Sequence, residues 1–322
     1  MDIIKTLTEE MQCRIRRWIE RNARPLEWAL YRQKFENGSE SAVLEALSAY
    51  QNPDGGFGYA LEPDDWNQNS TLNATLYAMQ LMLNIGVTQH PLMEGALRFL
   101  RSEACFRNGE WQFCTPSSRD YPHAPWWGMT EDEAKEENAG VSNKVAGLIL
   151  ALCQPEDSLY QTALEVAKRS FPQFMQEPPK GENGVAGYAL LLPHWIRLGI
   201  APEPEKAVKR MLEIGNAAIE RDPAKWGDYV PRPSGAIPTP ESPLYPMNCE
   251  IVETELDHVV DTLSKDGFWE PNWTWYNTIE CYPDAYAISR NWWRSIKAIE
   301  YLSFLKAFGR LEGKNGQNKF PA

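Results

Sequence analysis

Gln51-Asn52-Pro53-Asp54-Gly55-Gly56-Phe57-Gly58 is the stretch that decides the fold. It follows a segment, 39–50, whose pattern predicts a helix. Gly55 supplies the positive φ that turns a chain at a helix C-terminus. Asn52 and Asp54 are short side chains suited to bonding the local backbone. Phe57 is an aromatic placed to pack back under the turn. The same unit recurs as Asn108-Gly109-Glu110-Trp111 after a predicted helix at 91–104, and as Asp266-Gly267-Phe268-Trp269 after one at 249–264. Asn183-Gly184 is a candidate remnant. Helix, Gly-containing aromatic turn, loop and new helix therefore form a degenerate internal repeat.

Working outward, the apolar spacing is helical nearly everywhere. Leu72, Leu76, Met79 and Leu83 fall on one face, as do Val141, Val145, Leu148, Ile149 and Leu152. Val252, Leu256, Val259, Val260 and Leu263 form a third stripe, and Trp292, Ile296, Ile299 and Leu302 a fourth. Eleven helices are predicted, near 8–21, 25–36, 39–50, 70–85, 91–104, 141–153, 157–176, 184–199, 204–221, 249–264 and 290–308. No alternation marks a central strand. Asn248 is placed to cap the helix after it, and Pro193 should kink or split the helix that contains it. One domain over 1–311 is expected, with 312–322 a flexible polar tail.

Composition excludes several classes. The 322 residues carry 32 Lys and Arg against 44 Asp and Glu, a net charge of −12. That balance argues against nucleic acid as a partner, since phosphate neutralisation needs clustered cations. No apolar run approaches the ~20 residues of a membrane span, and Met1 to Trp18 is charged throughout, unlike a secretory signal. The six Cys have no CxxC spacing and read as reduced thiols of a cytoplasmic protein.

The unusual count is 13 Trp. Five (18, 28, 195, 292, 293) fall on predicted helices. Eight (66, 111, 126, 127, 226, 269, 273, 275) fall in the long loops 51–69, 108–139, 223–247 and 266–289. Loops of that length are usually functional, so the distribution suggests a lined pocket. Anchoring of loops on helix ends by their indoles is the alternative.

QNPDGGFG, with NGEWQF (108–113) and DGFWEPNW (266–273), resembles the turn repeats of the terpenoid cyclase and protein prenyltransferase superfamily. The chain is also similar to single-domain bacterial proteins carrying NPDGGFG…LEPD, PWW and a terminal FGRL, here 52–58, 61–64, 125–127 and 308–311. The resemblance implies an all-α fold, an α/α toroid of five to six helical hairpins around a central cavity. It also implies a squalene-cyclase-like function, with an apolar, isoprenoid-type ligand and acid-initiated cyclisation.

Four sets of residues are candidates for chemistry. Glu62-Pro63-Asp64-Asp65 resembles the Asp-x-Asp-Asp motif of the acid-initiated cyclases. On that pattern Asp64 is the acid, which requires an apolar, pKa-raising site. Asp65 and Glu62 would tune it, and Trp66 would line the pocket. The first position departs from the motif, and capping of the next helix or simple solvation are the competing roles. Second, His123 precedes Trp126 and Trp127, a Pro-flanked aromatic platform suited to a prenyl chain, a carbocation or a sugar. A packed lid explains it equally. Third, Cys249 and His258 are nine apart on one helix, on opposite sides, and no zinc-like spacing exists. Neither a metal nor a cofactor is expected, and there is no Asp-rich diphosphate motif or P-loop. Fourth, Glu270 and Trp273 lie in an aromatic segment that fits a carbohydrate subsite. Arg119, Arg232, Arg290 and Arg294 are available cations with nothing to single them out.

The expectation is a cyclase-like enzyme acting on an apolar ligand. The alternatives are a glycoside hydrolase or lyase of the same shape, and a non-catalytic binding toroid.

Overall fold

The computed structural model describes residues 4–102 and 104–313. Among them twelve helices account for most of the chain, which is all-α in class. In chain order they are α1 (Glu9–Asn22), α2 (Pro25–Phe35), α3 (Glu40–Ser48), α4 (Leu72–Asn84), α5 (Pro91–Arg101), α6 (Lys135–Leu152), α7 (Ser158–Gln176), α8 (Gly184–Arg197), α9 (Pro204–Ala218), α10 (Pro233–Ala236), α11 (Cys249–Asp261) and α12 (Pro283–Ala307). Eleven match the predicted segments. The twelfth, α10, is a single turn inside the predicted loop 223–247.

Two helices begin earlier than the pattern predicts. α6 starts at Lys135, taking in Glu136 and Glu137, whose charges favour a helix N-terminus. α12 starts at Pro283 with Asp284 in its first turn. Pro193 does not split α8, which runs through it to Arg197. The backbone beyond the proline is held by Leu198 N–H donating to His194 O at 2.9 Å, and the buried Trp195 indole donates to Ala167 O at 2.7 Å. Asn248 adjoins α11 without a side-chain cap. Its amide instead donates to Leu244 O and its Oδ1 accepts from Arg221.

The chain divides into two compact units, 1–46 with 218–274 and 283–322, and 47–217 with 275–282. In the first, α12 packs on α1, α2 and α11. Its core includes Ile15, Ile19, Leu26, Val252, Leu256, Val259, Ile299 and Leu302, all buried. Leu7 and Leu311 form a parallel bridge, and Glu312 N–H donates to Leu7 O at 2.9 Å. Glu312 is therefore tied down rather than part of a flexible tail. Residues 314–322 of that expected tail lie outside the described residues.

In the second unit, α6 packs against α7 and α8. Glycine permits the closest approach: a Cβ at Gly187 on α8 would lie 2.6 Å from Gly140 O on α6. A small hairpin, β1 (Phe106–Arg107) and β2 (Glu110–Trp111), also belongs here. Asn108 and Gly109 both have positive φ, 53° and 81°, as a two-residue hairpin turn requires. The repeat pattern reads this turn as a helix terminator; Asn-Gly between Phe106 and Trp111 is equally a hairpin signal, and the hairpin is what forms.

The three recurring turns share one construction. Gly55, Gly109 and Gly267 have φ of 96°, 81° and 96°. The aromatic two residues later, Phe57, Trp111 or Trp269, is at most 2 % exposed. Asn183-Gly184 does not belong to the set, because Gly184 opens α8. In the first turn Asp54 accepts from Gly56 N–H at 2.9 Å, and the Gln51 amide donates to Gly55 O and to Leu92 O of α5, each at 2.9 Å. A Cβ at Gly55 would overlap Gly95 O.

Gly55→Ala combines a left-handed backbone with that overlap, so it should destabilise the protein by at least about 2 kcal/mol. Gly227→Ala, with open space around it, should stay within about 0.5 kcal/mol of the parent. Urea unfolding of both variants checks this; equal losses would reject the turn as a stability determinant.

Candidate functional site

The segment that follows the first turn is built to bury acids. Tyr59 and Ala60 both hold φ of 55°, a conformation uncommon outside glycine. Two such residues in succession imply local strain that the surrounding bonds must offset. Tyr59 N–H donates to Asn67 O at 2.7 Å and Leu61 N–H to Gly58 O at 3.1 Å, closing the loop on itself. The carboxylates of this loop then point inward. Glu62, Asp64 and Asp65 are 9, 2 and 4 % exposed.

The neighbouring chain comes from the loop ahead of α6. Asp65 and His123 form an antiparallel bridge, Trp66 N–H donates to Pro122 O at 3.0 Å, and Ala124 N–H donates to Asp64 O at 2.9 Å. This pairing delivers Trp127, whose indole N–H donates to Glu62 Oε2 at 2.9 Å. The same oxygen accepts from Asp64 N–H at 2.9 Å. Asp65 accepts from Asn67 N–H at 3.2 Å on one oxygen and from the Ser118 hydroxyl at 3.0 Å on the other. Asp64 Oδ1 accepts from the indole N–H of the fully buried Trp275 at 2.6 Å.

The electrostatic consequence follows from burial. Desolvation pushes the Glu62 carboxyl well above the usual range, and the charges of Asp64 and Asp65 push it further, against the donors Trp127 and Asp64 N–H. Desolvation likewise raises Asp65 from 3.8 to about 6, opposed by the bonds from Ser118 and Asn67 and by His123. No Lys or Arg among the described residues pairs with Glu62 or Asp65. Two carboxyls of raised proton affinity, Glu62 and Asp65, are thus held beside a third, with indole N–H donors on Glu62 and Asp64.

The remaining candidates divide. His123 joins this group: its Nδ1 lies 2.6 Å from Tyr121 O, so Nδ1 carries the proton in the neutral ring. Its Nε2 faces Gly128, where a Cβ would overlap it. The Trp66 indole donates to Pro63 O at 3.1 Å. Trp126 is half-buried beside Trp127, which packs on Phe113 with ring centroids 5.0 Å apart. Glu270 and Trp273 fall in the first unit. Glu270 is exposed and shared by Arg290 and Arg294 at 3.0 and 2.6 Å. Partial burial raises its pKa, but the bonds from Arg294 and Arg290 outweigh that and hold it below the usual value. Cys249 donates to Tyr245 O, whereas His258 stands edge-on to Trp226, so they do not share a ligand.

Trp275, Ser118 and Asn67 complete the acid cluster without a sequence motif to single them out. The crowding of Trp269, Trp273 and Trp275 is a signal for the first of them. Nothing marks Ser118, 53 residues from its partner. A cavity of about 360 Å³ opens in the first unit beside Arg16, Tyr31, Phe35, Leu302 and Lys306, and none of the sequence candidates lines it. The loop indoles divide too: Trp111, Trp226, Trp269 and Trp275 are buried, and Trp66, Trp126, Trp127 and Trp273 half-buried. Compared with protein families, with curated proteins and with solved structures, the chain matches none.

The raised carboxyls fix the sign of a pH dependence. A carboxyl whose folded pKa exceeds its unfolded value holds extra proton in the folded state, so its contribution is present below the unfolded pKa and lost as pH rises through the folded one. For Asp65 the window runs from 3.8 to about 6, worth roughly 3 kcal/mol at 1.36 kcal/mol per unit. Asp65→Asn should flatten the stability profile across that window and match or exceed the parent at pH 7.5. Chemical denaturation at several pH values reads this out, and a steeper profile in the variant would contradict it.

Proposed function

We propose that the Glu62–Asp64–Asp65 cluster is a general-acid site acting on an apolar, isoprenoid-type substrate, in a protein of terpenoid-cyclase-like α/α-toroid architecture. The observation that carries this reading is a buried carboxyl, Glu62, whose proton affinity is raised by desolvation and two neighbouring acids, with the Trp127 indole N–H on it and that of Trp275 on Asp64. Protonation of an alkene or epoxide needs such a proton held out of water. The cation that forms needs aromatic faces and nearby negative charge. On this reading Trp66, Trp127 and Trp275 would supply the first, and Asp64 the second. The motif resemblance alone assigns the proton to Asp64; proton affinity favours Glu62 as the donor, with Asp64 as its partner. The recurrent Gly-x-aromatic turns and the helical content support the toroid. The pairing of Glu270 with two arginines weighs against it as one of two glycosidase carboxyls.

A second role fits the same bonds. Glu62 and Asp65 each accept from a backbone N–H two residues ahead, so the cluster also locks its own loop.

The two roles separate in one experiment. Acyclic polyprenes and their terminal epoxides are incubated with the protein in D₂O and the products examined by mass spectrometry. The acid reading expects a cyclised product, the last cation losing a proton or capturing water; from a polyprene alkene it carries one carbon-bound solvent deuterium, and from an epoxide the added deuteron sits on the exchangeable hydroxyl, so cyclisation itself is the readout. It also expects Glu62→Gln to lose turnover by 10²-fold or more, as loss of a general acid typically does, while unfolding cooperatively near the parent temperature. No turnover of any polyprene, or full turnover by Glu62→Gln, leaves the loop lock as the function of the cluster.

A further inference from the structure

The cavity of about 360 Å³ in the first unit takes no part in the acid chemistry, and its wall is chemically specific. From α1 it takes Glu9, Gln12, Cys13 and Arg16, whose spacing puts them on one helix face. From α2 it takes Tyr31 and Phe35, one turn apart, and from the end of α12 Leu302 and Lys306. Tyr31 is the residue that asks for a ligand. It is 7 % exposed, and its ring packs on Trp28 and Phe35 with centroids 5.7 and 5.2 Å apart. Its hydroxyl makes no hydrogen bond to any described residue, whereas buried polar groups are ordinarily matched. Burial pushes this phenol up to about 12, with Glu36 adding to the shift, Arg16 opposing it and Cys13 adding again. All three of those residues line the cavity, so the hydroxyl they act on faces it. The phenol keeps its proton at neutral pH and is a donor without an acceptor.

The rim of the cavity carries both signs of charge. Arg16 is committed to Glu36 at 2.5 Å and to Glu20 at 2.8 Å. Lys306 donates to Lys34 O at 3.0 Å, with its ammonium 5.3 Å from the Phe35 centroid, and no described carboxylate pairs with it. Glu9 and Glu312, also on the rim, pair with no described cation. A guest of one charge would leave one of these signs unmatched; a zwitterion matches both. The wall also holds one nucleophile. Cys13 is a free, exposed thiol, and the Tyr31 phenol is within its electrostatic reach.

We propose that this cavity receives one half of a low-molecular-weight disulfide bearing both ammonium and carboxylate groups, and that Cys13 exchanges with it to form a mixed disulfide. Lys306 meets the carboxylate, Glu9 and Glu312 meet the ammonium, and the Tyr31 hydroxyl donates to an acceptor on the enclosed part. In the exchange the Cys13 thiol gives its proton to solvent and its sulfur attacks one sulfur of the disulfide. The old S–S bond breaks as the new one forms, and the other half leaves as a thiolate that takes up a proton. The disulfide is thus the oxidant, and a thiol reductant reverses the step. Binding before reaction raises the effective concentration of disulfide at Cys13 alone.

Cys281, equally exposed and not on this cavity, is a control within the same molecule. The reduced protein is incubated with increasing oxidised glutathione or, separately, with the uncharged hydroxyethyl disulfide, and adducts are counted by peptide mass spectrometry. With oxidised glutathione the rate at Cys13 should saturate and exceed that at Cys281 by about tenfold or more, while the rate at Cys281 stays linear. Tyr31→Phe, which keeps the ring and removes the hydroxyl, should cut that preference by about threefold or more, the loss of one hydrogen bond. Lys306→Gln should lower it with oxidised glutathione and leave the uncharged reagent unaffected. A linear rate at Cys13, no preference over Cys281, the same preference with hydroxyethyl disulfide, or an undiminished preference in Tyr31→Phe each overturns the proposal. Should Tyr31→Phe not fold, the wild-type saturation and Lys306→Gln, at an exposed position, decide it.

Discussion

Burying Glu62, Asp64 and Asp65 in one short loop is the constraint to which the second unit is arranged. A desolvated carboxylate is costly unless it is paired or protonated. Elsewhere the chain takes the pairing route: Arg24 meets Glu27 at 2.6 Å with both side chains at most 5 % exposed, and Arg232 meets the fully buried Glu255. Around Glu62 and Asp65 the partners are instead neutral donors, indole, hydroxyl and backbone N–H. Neutral donors stabilise negative charge less than a guanidinium does, so proton affinity rises, as it does at sites that handle protons.

That arrangement requires three distant segments to meet. The loop from Tyr59 to Asn67 must run in left-handed conformations at two non-glycine residues. The loop around His123 must pair with it in register, because a one-residue slip would carry Trp127 away from Glu62. Trp275 must arrive from a position 211 residues further on. The buried turn residue Phe57 helps fix the start of this path: its N–H bonds the Thr75 hydroxyl of α4, and it bridges to both Gln51 and Thr71. The most repeat-like stretch of the sequence and the acid loop are thus one continuous construction.

Much of this is legible in the amino-acid sequence, for reasons that differ by residue. The stripes on α4, α6 and α11 are decided by local spacing, and their apolar residues are mostly buried. The positive φ at Gly55, Gly109 and Gly267 is likewise a local demand. What sequence does not encode locally is which loops meet. Glu62, Trp127 and Trp275 each stand in a segment of chemical character, but nothing in their spacing joins them. Glu270 and Trp273 share the segment of Trp275 and its character, yet Glu270 is taken by two arginines whose positions on α12, Arg290 and Arg294, lie one turn apart. The starts of α6 and α12 escape the pattern because the apolar stripe begins after the helix does. The first turns there are set by charge and proline rather than burial.

Tryptophan connects the two units' chemistry, because its ring is apolar and its N–H is an obligatory donor once buried. At Trp195, Trp226 and Trp269 the donor goes to a backbone carbonyl within the same unit, at 2.7, 3.1 and 2.8 Å. Those indoles anchor loops and helix ends. At Trp127 and Trp275 the donor goes to a carboxyl oxygen, which ties those loop positions to Glu62 and Asp64. At Trp111 and Trp293 it goes to no protein atom among the described residues. An indole count alone cannot separate anchor from tuner. The acceptor opposite each N–H does: a backbone carbonyl marks an anchor, and a carboxyl oxygen marks the acid cluster of Glu62 and Asp64.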